Sequence, residues 1–234
     1  MLVISHRGAA GLARENTMEA LRAGLAAGAD MLEFDVRLTS DGIPILAHDF
    51  LAIRTHHDRS IISHNTLAEL QDRFQGQPIT TLKEVLDEFF GVILLNIEIK
   101  GRGTGGPVAR FVKDNYITSP KTWDNVLFSS FHATQLVAIR RVSQRASLAL
   151  LHSSNPYIFI AYHRILRLTA VGFHRLYVNQ FAIEIAKRAG LFTYVYTVDR
   201  PHAALLFSQQ NIDGVVTNRP DLILSEIEKQ PDTP

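Results

Sequence analysis

The sequence predicts a single α/β domain folded as a closed (β/α)8 TIM barrel, with a small insertion after the second strand. Three observations carry this expectation. Eight short runs rich in β-branched and aliphatic residues recur along the chain, amphipathic segments separate them, and the alternation persists to the end of the 234 residues. A barrel of this kind uses roughly 250 residues, so one domain, 1–234, accounts for the whole chain. A doubly wound open sheet is the competing architecture, because it shares the alternation and differs in closure.

Strands are expected at residues 2–5, 31–36, 92–99, 126–129, 147–151, 173–178, 192–198 and 214–217. The first helix fits 17–27, where Met18, Leu21 and Leu25 recur at helical spacing and Asn16 or Thr17 can cap the start. Thr66-Leu67-Ala68-Glu69 and Thr81-Leu82-Lys83-Glu84 are capping boxes and mark two further helix starts. Later helices fit 107–115, 132–142, 157–171, 180–189, 200–209 and 221–228. Between 36 and 92 the connection is longer. It contains a hairpin that turns at Ser40-Asp41-Gly42 into a strand at 43–47, then a polar stretch at 56–65. The insertion covers roughly 50–80, and a long decorated loop after a barrel strand belongs over the active face. The tail at 230–234 is expected to fray.

Composition narrows the function classes. Hydrophobic residues make up 46% of the chain and the mean hydropathy is +0.04, enough for a large core. No run reaches the roughly 18 apolar residues of a spanning helix, so no stable membrane insertion is expected. The net charge is +1, from 24 basic and 23 acidic residues, which gives no general field for nucleic acid or an anionic membrane. Without cysteine there is neither disulfide nor thiolate chemistry. The opening Met1-Leu2-Val3-Ile4-Ser5 lacks the features of a signal peptide, and a cytoplasmic location is the expectation.

The chemistry gathers at the ends of the early strands. His6 and Arg7 follow the first. The second contains Glu33 and Asp35, and the third reads Asn96-Ile97-Glu98-Ile99-Lys100. Side chains alternate along a strand, so Glu33 and Asp35 share one face, as do Asn96, Glu98 and Lys100. Phe34, Ile97 and Ile99 then face the helix layer, and the polar set points into the barrel near its C-terminal mouth, where barrel enzymes keep their sites. Three converging carboxylates repel one another unless a positive charge sits among them. A hard divalent cation, Mg²⁺ or Ca²⁺, suits oxygen-only donors. The alternative is an ion-pair network in which Arg7 and Lys100 neutralise the acids. His48 ends the hairpin strand and can face His6 across the mouth, which would give a proton donor and acceptor pair.

These residues carry a resemblance. His6-Arg7-Gly8, Glu15-Asn16-Thr17 and Gly28-Ala29-Asp30 leading into Glu33-Phe34-Asp35-Val36 resemble the opening of the glycerophosphodiester phosphodiesterase family. Thr39-Ser40-Asp41-Gly42, His48-Asp49, Arg54-Thr55, Ile79-Thr80-Thr81-Leu82, Asn96 to Lys100, Ser129-Ser130-Phe131 and Asp213-Gly214-Val215-Val216-Thr217 follow in the family's order. The resemblance implies a metal-dependent phosphodiesterase on a (β/α)8 barrel that takes a small-molecule glycerophosphodiester. It implies Glu33, Asp35 and Glu98 as metal ligands, His6 and His48 as the acid/base pair, Arg7 and Lys100 as phosphate-binding cations, and Glu15 as a support of the site or of the substrate's glycerol.

Some positions depart from the family pattern. Arg14 stands where proline is usual, Tyr196 where tryptophan is common, Asn218 where aspartate follows the last strand's threonine, and Gln180 follows Asn179 where proline is frequent. None is a proposed ligand or histidine, so they bear on substrate preference. His56, His57 and His64 read as loop residues of the insertion, Phe50, Phe131 and Tyr196 as strand-end aromatics, and Gly101-Arg102-Gly103-Thr104-Gly105-Gly106 as a flexible loop over the site. Two other functions compete. A lysophospholipase D would need an apolar surface beside the mouth, and the loops read as polar. A non-catalytic barrel that binds a phosphorylated ligand would be expected to have lost ligands or histidines, and none is missing.

Overall fold

A computed structural model describes residues 1–52 and 56–229; Arg54, Thr55 and the tail 230–234 lie outside the described residues. The strands are β1 (Leu2–Ser5), β2 (Met31–Leu38), β3 (Pro44–Leu46), β4 (Leu94–Ile99), β5 (Val126–Ser130), β6 (Ser147–His152), β7 (Ala170–His174), β8 (Phe192–Tyr196) and β9 (Gly214–Thr217). They form one sheet in the order β1-β9-β8-β7-β6-β5-β4-β2-β3, and a β1–β2 pairing closes it. Every pairing is parallel except β2 with β3, where Val36 faces Leu46 and Leu38 faces Pro44. The barrel is therefore closed, as the strict alternation predicts, and β3 is the return strand of the expected hairpin.

Helices α1 (Met18–Ala26), α2 (Leu67–Arg73), α3 (Leu82–Phe89), α4 (Gly105–Tyr116), α5 (Ala133–Val142), α6 (Phe159–Leu166), α7 (Gln180–Arg188), α8 (Pro201–Gln209) and α9 (Pro220–Glu228) join the strands. Both capping boxes form, at the starts of α2 and α3. Of the two candidate caps of α1, Thr17 is the one used, accepting from the Ala20 N–H. One expected pair of elements is displaced. Helix α6 ends at Leu166, where Arg167 takes a left-handed conformation (φ 48°, ψ 54°), and the next strand begins at Ala170, not at 173. Ala170 and Val171 read as a continuing helix by composition, but Gly172 belongs to the crowded barrel interior. A Cβ there would lie 2.4 Å from Leu151 Cδ2 and 2.8 Å from Tyr194 Cε2.

Alternation divides the core in two. Ile4, Met31, Leu127, Ala149, Leu151, Ala170, Tyr194 and Val216 fill the barrel. Their strand neighbours, among them Val3, Leu32, Phe34, Val36, Leu95, Ile97, Ile99 and Phe128, pack outward under the helices. The connection after β2 has a separate small core of Ile45, Ala47, Ala52, Ile62, Leu70, Phe74 and Ile79, which fixes the hairpin over the mouth. Among the described residues no helix is long and apolar enough to cross a membrane.

The turn from β1 into the site depends on Gly8. Its φ is +88°, and a Cβ would sit 2.5 Å from the Ala20 carbonyl carbon, in the first turns of α1. Gly76 has a similar φ of +81° with nothing within 4 Å of its Cβ position. Gly76→Ala should therefore cost only the left-handed strain, about 1–2 kcal/mol. Gly8→Ala adds overpacking and should cost about 2–5 kcal/mol. Urea unfolding of the two variants checks this, and equal losses would show that the α1 contact carries no weight.

Candidate active site in the barrel mouth

The register of β2 against β4 sets Glu33 opposite Asn96 and Asp35 opposite Glu98. All point inward and all are buried, Asp35 being only 1% exposed. One oxygen from each of Glu33, Asp35 and Glu98 lies within 4.8 Å of the others. The sequence-derived convergence of three carboxylates is thus the observed arrangement.

The positive charges expected around them are also present. The Arg7 backbone N–H donates to Glu33 Oε2 at 2.8 Å, its Nη1 to Glu15 Oε2 at 2.8 Å, and its Nε lies 3.2 Å from Asp35 Oδ2. Lys100 Nζ lies 2.5 Å from Glu98 Oε1 and 3.2 Å from Asp35 Oδ1. Two cations therefore contact four carboxylates, Glu15 included, and Arg37 stands within Coulombic reach of Asp35 and Glu98. The ion-pair network exists, but its three cations are fewer than the four acids if all of them ionise. Their protonation reflects that deficit. Burial, with Asp35 adding to it, pushes Glu33 up to about 8, and burial pushes Glu98 up to about 8 against the pull of Lys100. Burial would raise Asp35 as well, but Lys100, Arg7 and His48 outweigh it and hold that carboxyl at about 2. Without an ion, Asp35 carries the charge and the other two hold protons at neutral pH.

An ion fits here on the chemistry of the donors. Glu33 Oε1 is buried with no hydrogen-bond partner among the described residues, while Asp35 Oδ1 and Glu98 Oε1 both face Lys100. Oxygen donors alone, in a buried acidic set, are what a hard divalent cation binds.

His6 follows β1 on its inward face and lines the mouth pocket with Glu33, Asn96, Glu98, Tyr194 and Tyr196. Its Nδ1 is 2.7 Å from Asn218 Oδ1. Asn218 Nδ2 donates to Asp199 Oδ2 at 2.9 Å, and its backbone N–H to Asp199 Oδ1 at 2.8 Å. With the amide's N–H groups committed to a carboxylate, its carbonyl oxygen faces the imidazole. His6 then carries its proton on Nδ1 and offers the Nε2 lone pair, a tautomer assigned from the network. Burial lowers the His6 pKa and Arg7 lowers it further. His48 ends the hairpin strand, with Nδ1 2.7 Å from Asp49 Oδ1. Its carbonyl accepts from Arg37 Nε at 3.0 Å and Nη2 at 2.8 Å. Burial lowers the His48 pKa as well, with Asp35 opposing and Lys100 and Arg7 assisting. It stands within Coulombic reach of the same cluster.

Several supporting residues were not read from sequence. Asn16, taken as a possible helix cap, is buried and clamps Asp35, donating from Nδ2 to Asp35 Oδ2 at 2.9 Å and accepting the Asp35 N–H at 3.0 Å. Its left-handed φ of 57° makes both bonds reachable from one side chain. Asp199 and Arg37 had no signal beyond their charge, since their partners are brought to them by the fold. Asn218 stood out only as a departure. The glycine-rich run after β4 is loop in its first half alone. Gly105 opens α4 and donates its N–H to Gln135 Oε1 at 3.0 Å. Phe131 remains 38% exposed, with Lys100 Nζ 5.4 Å from its ring centre, so it belongs to the mouth and not to the core. Arg14 is exposed and donates to Gln77 Oε1 at 3.3 Å. His56 stacks on Phe74 within the insertion.

Comparison with known proteins agrees with this geometry. A model of the glycerophosphoryl diester phosphodiesterase family matches residues 6–222. A glycerophosphodiester phosphodiesterase of Caldanaerobacter subterraneus is 29% identical over 97% of this chain and 98% of its own. Among solved structures, a phosphodiesterase of Oleispira antarctica in complex with the product sn-glycerol-3-phosphate superposes with a TM-score of 0.87 at 26% identity, covering 98% of this chain and 97% of that one. A glycerophosphodiester phosphodiesterase of Thermotoga maritima gives a TM-score of 0.82 at 27% identity, covering 96% and 97%.

Protonated Glu33 and Glu98 must lose their protons for an ion to bind. Mg²⁺ or Ca²⁺ affinity should therefore rise from about pH 6 to about pH 9 and flatten above it, with proton release on binding. Titration calorimetry in two buffers of different ionisation enthalpy measures both quantities. A pH-independent affinity would mean that these carboxyls are not the ligands.

Proposed function

The chain belongs to the glycerophosphoryl diester phosphodiesterase family, and we propose that it hydrolyses glycerophosphodiesters to sn-glycerol 3-phosphate and a free alcohol with the help of a divalent cation, Mg²⁺ or Ca²⁺. The observation that carries this reading is the convergence of three buried carboxylates, with Glu33 Oε1 lacking a partner among the described residues, in a mouth flanked by two imidazoles. Glu33, Asp35 and Glu98 would hold the ion. When bound, it supplies Lewis-acid stabilisation of the charge that develops on the phosphoryl oxygens.

The side chains do the rest. Arg7 and Lys100 bind phosphoryl oxygens, the first as a planar fork and the second as a point charge. Glu15 orients the Arg7 fork through their 2.8 Å contact. The two histidines divide the proton transfers. Burial and Arg7 outweigh the Asn218 hydrogen bond, which favours the imidazolium, so His6 rests uncharged and its Nε2 takes the proton of the attacking oxygen, whether water or the glycerol 2-hydroxyl. Asp35 and Asp49 favour the imidazolium of His48 against the net lowering by burial, Lys100 and Arg7, and in its protonated form His48 gives its proton to the departing alcohol.

A second reading has one specific observation in its favour. Tyr157, Ile158, Leu176, Tyr177 and Phe181, on the segments after β6 and β7, are exposed large apolar residues, and Tyr157 meets Phe181 at 6.1 Å between ring centres. This corrects the expectation of wholly polar loops and is the surface a lysophospholipid substrate would need. Turnover of lysophosphatidylcholine above that of glycerophosphocholine would favour it.

His6→Ala and His48→Ala should each lower kcat by roughly 10² or more in purified, metal-loaded protein. Near-normal turnover in either variant removes that residue from the mechanism. Because His6 acts in its neutral form and its pKa lies below the ordinary 6.5, activity at saturating metal for each pH should persist through pH 6.5 and fall only at lower pH. An acidic limb of kcat/KM at or above pH 6.5 that persists at saturating metal contradicts the assignment of His6 as base.

A further inference from the structure

The solvent side of a barrel helix is ordinarily polar, and α3 follows the rule. Its Lys83, Glu84, Asp87 and Glu88 are exposed, while Leu82, Val85, Leu86 and Phe89 are buried. Helix α6 breaks it. Phe159 and Leu166 face the core, yet Ile158, Ile160 and Ile165 are exposed as well, the last at 77%. Tyr157, at the start of this helix, joins the surface to the segment that leads into α7. Its ring lies 6.1 Å from Phe181, and its hydroxyl donates to Asn179 Oδ1 at 3.2 Å. Leu176 is 72% exposed there and Phe181 63%, with Tyr177 exposed beside them. One apolar face thus runs from the outer side of α6 to the start of α7.

The charge around this face has one sign. Between Asp124 and Glu184 the sequence contains no acidic residue, but it contains Arg140, Arg141, Arg145, Arg164, Arg167 and Arg175. Arg164 and Arg167 are exposed at the end of α6, and Arg175 on the segment after β7. Among the described residues no carboxylate lies within ion-pair distance of these three, and Glu184 is already 3.9 Å from Arg188. The net charge of +1 for the whole chain conceals this local excess. Single exposed apolar residues are common, whereas a contiguous set edged by polar groups marks a docking face.

We propose that this face docks the protein on an anionic phospholipid bilayer, with its aromatic and aliphatic side chains in the headgroup layer and its arginines on lipid phosphates. Charge and side-chain type select this occupant. Exposed Ile, Leu and Phe beside arginine suit the boundary between headgroups and acyl chains, and tyrosine keeps its hydroxyl in the wet layer. Anionic lipid supplies the counter-charge that the segment lacks. A second copy of the chain, docked through the same face, would set arginines against arginines with no carboxylate between them. No described helix is long and apolar enough to cross the bilayer, so docking is confined to its surface. The His174 ring lies 5.4 Å from Tyr177 and 5.8 Å from Tyr196, which lines the mouth, so the docked barrel opens beside the lipid. Docking of this kind is independent of which diester is cleaved.

Co-sedimentation of the full chain with vesicles tests the proposal. Mixed phosphatidylglycerol and phosphatidylcholine vesicles should bind about a hundredfold more tightly than phosphatidylcholine alone, at about fivefold for each of three arginines. High salt should remove most of that difference. Arg164→Gln combined with Arg175→Gln should weaken binding to the mixed vesicles by about twentyfold. Leu176→Ser should weaken it by about tenfold. Lys121→Gln and Val92→Ser, exposed elsewhere on the barrel, should leave it unchanged. Thermal unfolding at the wild-type temperature shows that each variant is folded, and because no turnover is read, a failed hydrolase reading leaves the test intact. Absence of binding to the mixed vesicles, or equal losses in the two controls, would overturn the proposal. So would a dimer in sedimentation velocity that Leu176→Ser returns to monomer, because a second copy would then occupy the face.

Discussion

The constraint on which the rest of this structure depends is negative charge buried in the barrel mouth beyond what its cations balance. Glu33, Asp35 and Glu98 converge within 4.8 Å in a site where Asp35 is 1% exposed. Such a cluster persists in a folded protein only when each oxygen has a hydrogen bond, a counter-ion or a proton. The local irregularities of the first fifty residues follow from meeting that demand. Arg7 adopts φ 50° so that its backbone N–H reaches Glu33 while its guanidinium turns to Asp35 and Glu15. Asn16 adopts φ 57° so that one side chain clamps both the backbone and the carboxylate of Asp35. Left-handed conformations at residues other than glycine concentrate where strain is offset by surrounding contacts.

The same demand shapes the barrel interior. Below the acids the inward positions are apolar, from Ile4 and Met31 round to Ala170 and Val216, with Tyr194 as the one large aromatic side chain fully buried among them. That plug keeps water from reaching the carboxylates from beneath, which is why burial is the first cause of the raised Glu33 and Glu98 values. Access is from the mouth alone, where the hairpin and its small core place His48 above the cluster and Arg37 fastens its carbonyl.

The fold was largely legible because a parallel barrel writes a simple pattern into its sequence: an apolar strand, a capped helix, and a further strand, repeated. Inward acids on β2 and β4 could be read because the intervening Phe34, Ile97 and Ile99 point to the helices and fix the phase. The pattern failed where composition and phase disagreed. Ala170-Val171-Gly172-Phe173 looks like the end of a helix, and only the bulk of Tyr194 and Leu151 across the interior explains why glycine stands at 172. The supporting shell was mostly hidden. Asp199 is separated from His6 by 193 positions and acts through Asn218, and no local spacing encodes a contact that exists only after β9 closes on β1.

That closing seam also orders the site by function. The acids, the cations and both histidines come from β1, β2, β4 and the β3 hairpin, one contiguous arc of the barrel. The opposite arc, β5 to β8, contributes Phe131, Leu151, Tyr194 and Tyr196 to the mouth and no carboxylate. Charge balance is thus settled on one side, and the other side of the mouth is uncharged. A substitution on β5 to β8 changes shape and hydrogen bonding without disturbing the protonation of Glu33 or Glu98. A substitution on β1 to β4 alters the electrostatics of several groups in the cluster at once, because Asp35 links Arg7 to Lys100. Tyr196, where the family commonly has tryptophan, lies on the uncharged arc. Asn218 is the exception. It lies where the arcs rejoin, hydrogen-bonded to His6 and to Asp199.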